Sequence, residues 1–189
     1  MAKNHLHAAA ALALRERVLL GRVAGYAGAV SELPDKIAAI TAAATAFTDA
    51  HVPYALIGGL AVAVRSGVPR ATLDVDFAIA TRVDRPWLRQ HMIDRGFLPK
   101  GEFTHSSNFE HASGEPVQLA FDAAFDPMIE RAESVDLDGL VLRVVTKEDL
   151  IEMKRRAAAD PARRRSKALR DQADIALLEG DVPDPDEGW

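Results

Sequence analysis

The stretch from Tyr54 to Ile79, YALIGGLAVAVRSGVPRATLDVDFAI, constrains what this chain can fold into more than any other. An apolar run, Tyr54 to Ile57, ends in Gly58-Gly59, and a small-residue segment, Leu60 to Val64, follows. A turn at Ser66-Gly67-Val68-Pro69 leads through Arg70-Ala71-Thr72 into Leu73-Asp74-Val75-Asp76-Phe77. Side chains two apart on a strand point the same way, so Asp74 and Asp76 share one face and Leu73, Val75 and Phe77 the other. Two carboxylates on one rigid face can hold a divalent metal through hard oxygen ligands. A glycine pair lets the backbone approach phosphates closely, and the N–H groups opening the next helix favour anions. The pattern predicts a strand over 54–57, a short helix over 59–65 and a second strand over 73–80 that pairs with the first. That pairing would bring the glycine turn beside the two aspartates, an arrangement for nucleotidyl transfer. The plainer alternative is a glycine turn and a strand with two solvated aspartates.

Around this centre the chain reads as α+β. Residues 8–30 and 36–50 have apolar positions at helical spacing, with Pro34 as a start signal for the second helix. Asp84 and Pro86 open a helix that Gly96 ends. Phe97 to Phe103 is extended, and the polar run Thr104 to Gly114 reads as a hairpin loop holding His105 and His111, which are exposed or touch a base or phosphate. Val117 to Phe121 is a third strand, with Gln118, Ala120 and Asp122 on one face. Asp126-Pro127 starts a short helix to about Ala132, and Asp138-Gly139 turns a hairpin between Val135–Leu137 and Leu140–Val144. Thr146-Lys147-Glu148-Asp149 resembles a capping box. The helix it opens buries Leu150, Met153 and Ala157, with Lys154 bordering that stripe. A last helix, about 162–179, places Leu169, Ala173, Ala176 and Leu177 inward. The units expected are N-terminal helices over 1–53, a core over 54–145, a helical part over 146–180 and a disordered acidic tail over 181–189.

At 189 residues with 48% hydrophobic and 27% charged content, the chain suits one globular domain. The absence of cysteine excludes a disulfide framework, a cysteine zinc cluster and a thiol nucleophile, and is compatible with a cytoplasmic location. No stretch approaches the roughly 20 apolar residues of a membrane span. Ala8 to Leu14 lacks the flanks of an export signal, and His5 and His7 read as ordinary terminal residues. Net charge of −5 argues against bulk nucleic-acid binding, but Lys154, Arg155, Arg156, Arg163, Arg164, Arg165, Lys167 and Arg170 cluster with only Asp160 against them. Such a patch can guide a polyanion to one place, or be a solvated helical surface.

Gly-Gly, fourteen residues and Asp-Val-Asp after an apolar strand resemble the polymerase-β-like nucleotidyltransferase superfamily. The Pro69-Arg70-Ala71-Thr72 lead-in, with TKEDLIEMK and RDQADIALL near the C-terminus, resembles the AbiEii-type nucleotidyltransferase toxins. The likeness covers residues 54–178. Gly59 stands where the family often has serine, and Gln118 where many members carry a third metal carboxylate. Asp122 lies roughly 13 Å further along the strand, too far to stand in for one. The resemblance implies a nucleotidyltransferase fold, a small mixed sheet flanked by helices with N-terminal helices and a C-terminal helical hairpin. It implies Mg²⁺ or Mn²⁺ on Asp74 and Asp76, a phosphate cradle at Gly58 and Gly59, and Lys154 neutralising charge in the transition state. Arg70, Thr72 and Asp171 would position donor or acceptor, with Asp174 the next candidate after Asp171. The donor would be an NTP, the acceptor RNA such as a tRNA 3′ end, and an antitoxin could be a partner. The alternatives are a small-molecule nucleotidyltransferase of the aminoglycoside-modifying kind and a nucleotide-binding module without catalysis.

Overall fold

The computed structural model describes residues 35–68, 70–137 and 139–181. The helix expected over 8–30, His5 and His7, Pro34 and Pro69, and all of the expected tail except Asp181 lie outside them. The described residues form helix α1 (Lys36–Asp49), strand β1 (Tyr54–Ile57), α2 (Gly58–Ser66), β2 (Val75–Ile79), α3 (Arg85–Asp94), β3 (Leu98–Phe103) and β4 (Ser106–Glu110). They continue as β5 (Pro116–Ala120), α4 (Asp126–Arg131), β6 (Glu133–Leu137), β7 (Leu140–Val144), α5 (Lys147–Ala159) and α6 (Arg165–Glu179). The class is α+β, with one mixed sheet in the order β3-β4-β5-β2-β1-β7-β6.

The centre of that sheet follows from the apolar alternation of the opening stretch. β1 is buried along its whole length and pairs antiparallel with β2, Ile57 opposite Asp76. β2 runs parallel to β5, with Asp76 opposite Gln118, and β1 runs parallel to β7. The glycine turn at the end of β1 therefore stands beside the aspartates at the start of β2. Phe47 of α1, Tyr54 of β1 and Phe77 of β2 meet with ring centroids 5.0–5.7 Å apart, tying α1 to the sheet. On the other side of the glycine turn, α2 packs against α5 and α6. Among the described residues no helix is long and apolar enough to cross a membrane.

Four local expectations fail, each for a physical reason. β2 starts at Val75, not Leu73, because ladder pairing begins there, and Leu73 is 58% exposed instead of sharing the buried face. Thr104 to Gly114 is not a loop: β4 occupies its middle and pairs with both β3 and β5. Its polar sequence hid the strand, but Ser107 and Phe109 alternate inward, and strand preference is largely a matter of fitting a half-buried surface. Thr146 caps α5 by accepting from the Asp149 backbone N–H, yet the Asp149 carboxylate accepts from Arg131, so the reciprocal half of the box gives way to an ion pair. On α6 two of the four expected inward residues are misplaced, whereas Leu177 packs against the core and Ala176 is half-buried. Leu169 is 54% exposed and Ala173 is exposed, while Asp171, Asp174 and Leu178 are buried. An apolar-periodicity reading misplaces these two because two of the helix's inward positions are carboxylates.

Phe77 is fully buried within the aromatic cluster directly after Asp76. Phe77→Ala should lower unfolding free energy by about 3–5 kcal/mol in denaturant titrations, as cavities of this kind do. A loss below about 1 kcal/mol would mean that the cluster does not anchor α1 to the sheet.

Candidate active site

The eight residues expected to bind or catalyse line one cleft of about 820 Å³ between the central strands of the sheet and helices α5 and α6. Gly58 and Gly59 form its floor. Gly58 has φ +71°, and a Cβ there would stand 2.1 Å from Asp76 Oδ2, so both backbone and space demand glycine. A Cβ on Gly59 would fall 2.4 Å from Arg70 Nη1 and 2.9 Å from Thr72 Oγ1. The room that a serine would need is taken by the Arg70-Thr72 lead-in. α2 begins at these glycines with no side-chain cap on its first turn, leaving its N–H groups to an anion.

Asp74 stands just before β2 and Asp76 within it, with buried Val75 between them facing the core. Thr72 Oγ1 lies 3.3 Å from Asp74 Oδ1 and 3.4 Å from its carbonyl, a tight local turn. Burial, and then the charge of Asp74, push the Asp76 carboxyl up to about 7 against the opposing pull of Lys154, Arg70 and Lys36. Two hard oxygen donors lining one cleft, one of them holding a proton near neutrality, suit a divalent cation, which would displace that proton. Gln118, directly across the ladder from Asp76, lines the cleft with a neutral amide. Asp122 does not replace it: its carboxylate accepts from the Ala124 N–H at 2.8 Å and caps a single 3₁₀ turn. Among the described residues no group of three or more His, Cys, Asp or Glu is placed to hold a metal.

The opposite wall is cationic and tightly paired. Lys154 Nζ lies 3.1 Å from Asp171 Oδ1 and 2.7 Å from Asp174 Oδ2. Arg163 Nε donates to the other Asp171 oxygen at 2.6 Å. The Arg70 guanidinium bonds both oxygens of Asp174, with Nη2 at 3.1 Å from Oδ2, and its Nη1 donates to the Ala71 carbonyl. Three cations thus share two carboxylates, each only 2% exposed. Asp171 reaches the cleft with both oxygens engaged, so it orders cations and is not a free acid or base. Lys154, at the border of the buried stripe of α5, is likewise paired, with both Asp171 and Asp174. The basic cluster is thinner than its composition implies, since Arg163 is paired here and Arg155 bonds Glu179 at 2.6 Å. Lys167 and Arg170 line the cleft mouth, and Leu150, Met153 and Ala157 form an apolar wall beside it.

His105 and His111 do not line the cleft. His111 Nδ1 lies 2.9 Å from Ser113 Oγ, and its ring packs on Phe97. The sequence did not single out Lys36, buried at the start of α1 and bonded to the Leu73 carbonyl and to Glu115. A lysine at the first position of a helix opposes the helix dipole, and that misfit was the available signal.

An uncapped glycine helix start, two neighbouring carboxylates and a cationic wall thus meet in one cleft on a mixed sheet, and the chain is a nucleotidyltransferase by family. The family described as "Nucleotidyl transferase AbiEii toxin, Type IV TA system" matches residues 42–187, and the chain belongs to it. Among curated proteins no sequence matches. Among solved structures, an antigenic nucleotidyltransferase-like protein from Paracoccidioides brasiliensis is 22% identical, with TM-score 0.55 over 79% of this chain and 78% of that one. The antibiotic-resistance factor ANT(2'')-Ia is 18% identical, with TM-score 0.56 over 77% and 85% of the two chains. The lincosamide antibiotic adenylyltransferase LnuA, solved with lincomycin bound, is 15% identical, with TM-score 0.52 over 72% and 91%. At these identities the likeness is one of fold.

The proton on Asp76 makes stability depend on pH. Without metal, the folded chain keeps a proton that the unfolded chain releases near pH 4, so folding takes up a proton between about 4 and about 7. This contribution is full below about pH 4, is lost as pH rises through that window, and levels off above about 7. Denaturant titrations in EDTA should show the fall, and Asp76→Asn should remove it. Parallel pH profiles for wild type and Asp76→Asn would disprove the proton held on Asp76.

Proposed function

We propose that this nucleotidyltransferase moves a nucleotide from an NTP onto RNA, such as a tRNA 3′ end, with a divalent metal. The observation that carries the reading is the bipolar cleft: Asp74 and Asp76 on one side, cations on the other, and the opening of α2 between them. Asp74 and Asp76 would hold Mg²⁺ or Mn²⁺, which supplies charge neutralisation on the phosphates and orientation of the attacking oxygen. Gly58, Gly59 and the first N–H groups of α2 receive phosphate oxygens. Lys154 and Arg70 face the side where negative charge grows as the acceptor oxygen bonds to the α-phosphorus and pyrophosphate departs. Asp171 and Asp174 hold those cations in place. The Leu150, Met153 and Ala157 wall offers apolar surface for a base or ribose. Lys167 and Arg170 at the mouth, with exposed Arg164 and Arg165 beyond, favour a polyanionic acceptor. Membership of a toxin family supports a toxin–antitoxin setting, in which a cognate antitoxin would restrain this activity.

A small-molecule acceptor is the rival reading, prompted by the antibiotic-modifying enzymes that share the fold. A cationic aminoglycoside would prefer acidic walls, and here the open side of the cleft is basic. Incubation with each labelled NTP and either total RNA or a panel of aminoglycosides and lincosamides separates the two. Label on RNA supports the proposal, and label only on a drug overturns it.

Asp74→Asn and Asp76→Asn should each abolish transfer while the protein stays folded, because each removes a ligand charge at the cleft surface. Near wild-type transfer by both variants would remove the metal assignment. Lys154→Met should lower the rate per folded molecule by roughly 10²–10³, the effect of losing one preorganised transition-state contact. It should also lower the melting temperature, since Asp171 and Asp174 stay buried with one cation fewer. An unchanged single-turnover rate would sink the catalytic role of Lys154.

Neutralising Arg164, Arg165 and Lys167 together should weaken RNA binding and reduce the slope of log K against log salt by roughly 2. An unchanged slope in filter-binding assays would assign these residues to solvent.

A further inference from the structure

We propose that Lys36 is a positioning residue of the metal site: by gripping the Leu73 carbonyl, it sets where Asp74 stands. This rests on the reading of Asp74 and Asp76 as the metal carboxylates. Lys36 lies before residue 42, where the family match begins, so that match assigns it no role. Its side chain is 4% exposed, and Nζ donates to Leu73 O at 3.1 Å and to Glu115 Oε2 at 2.5 Å.

The need for such a grip is visible in the loop itself. The segment from Arg70 to Asp74 carries three of the cleft's polar side chains but precedes the ladder that begins at Val75. Leu73, the apolar residue that would normally bury and anchor it, is 58% exposed. Polar bonds anchor the segment instead. Arg70 bonds Asp174, and Thr72 bonds Asp74; Arg70, Thr72 and Asp74 all line the cleft. The Lys36 bond to Leu73 O comes from α1, one peptide before Asp74, and Lys36 does not line the cleft.

The other end of the grip is equally well placed. Glu115 is 2% exposed and directly precedes β5, whose Gln118 stands opposite Asp76. Ser113 Oγ donates to the Asp35 carbonyl at the opening of α1, 3.2 Å away, a second tie between that helix and the turn before β5. Lys36 therefore joins the Asp74 loop to the strand beside Asp76 through a rigid helix start. Burying a lysine costs free energy that a surface position would not, and here the Glu115 ion pair and the bond to the Leu73 carbonyl offset it.

The test uses two variants and two readouts. Lys36→Met removes the bond to Leu73 O, whereas Glu115→Gln removes the partner's charge and leaves that bond in place. Both should melt at lower temperature. Mn²⁺ binding, followed by calorimetry on the full chain with a non-hydrolysable NTP analogue, should weaken roughly tenfold or more in Lys36→Met, as loss of an outer-shell partner does, and stay within about twofold in Glu115→Gln. Amide exchange at Leu73, Asp74 and Val75 should quicken in Lys36→Met only. If Lys36→Met does not fold, Lys36→Gln takes its place: its shorter side chain still offers Glu115 a donor, and the same loss of Mn²⁺ affinity is expected. Equal Mn²⁺ affinity in all variants, with binding in the wild type, overturns the role of Lys36 alone. Equal weakening in Lys36→Met and Glu115→Gln also overturns it, since the effect would then follow stability. No Mn²⁺ binding by the wild type overturns the metal reading itself.

Discussion

The burial of the Asp76 carboxyl beside the charge of Asp74 is the constraint on which the cleft depends. Burial first, and the charge of Asp74 second, make ionisation of Asp76 costly, and it holds its proton to about pH 7. Nothing in the apolar core relieves this. Relief comes from charges brought in from elsewhere in the chain: Lys154 on α5, Arg70 in the lead-in and Lys36 on α1 all lower the cost of ionising Asp76. A bound cation would do the same more strongly. The carboxylate pair and the cations around it are two halves of one electrostatic problem.

The second half carries its own cost. Asp171 and Asp174 are buried on α6, and their four oxygens are engaged by Lys154, Arg163 and Arg70. Buried ion networks contribute little net stability compared with apolar packing of the same volume. What this one provides is order: three flexible side chains are held at one wall with a net positive charge. A phosphate entering the cleft meets cations whose positions are already set, which is how preorganised sites reduce the work done during reaction. The same arrangement ties the lead-in loop to the last helix, 104 positions away in sequence.

The sheet makes these approaches possible. Antiparallel pairing of β1 with β2 fixes Ile57 opposite Asp76, so the glycine turn and the carboxylates meet by register. The approach is so close that a methyl group on Gly58 would overlap Asp76. Parallel pairing of β2 with β5 fixes Gln118 on the far side of Asp76. Because a strand slip of one residue turns every side chain to the other face, the buried Val75 and Phe77 lock this register.

Much of this was legible in the order of residues alone. Glycine pairs, alternating apolar positions and the spacing of two aspartates act over a few residues, so local sequence determined the central hairpin, the glycine turn and the shared face of the carboxylates. The caps at Asp84 and Thr146 were local too. What only the tertiary structure decided are relations between distant charges. Sequence periodicity misplaced Leu169 and Ala173 on α6 because Asp171 and Asp174 point inward, and a carboxylate goes inward only when a cation from another element meets it. It left β4 as a loop, because Ser107 and Asn108 become strand residues only through neighbours on both sides. It passed over Lys36, whose burial makes sense only beside Glu115 and the Leu73 carbonyl, 79 and 37 residues away. Local patterns encode which face is apolar, whereas the pairing of buried charges is settled by long-range geometry, since each charge is tolerable inside only where the completed fold delivers its partner.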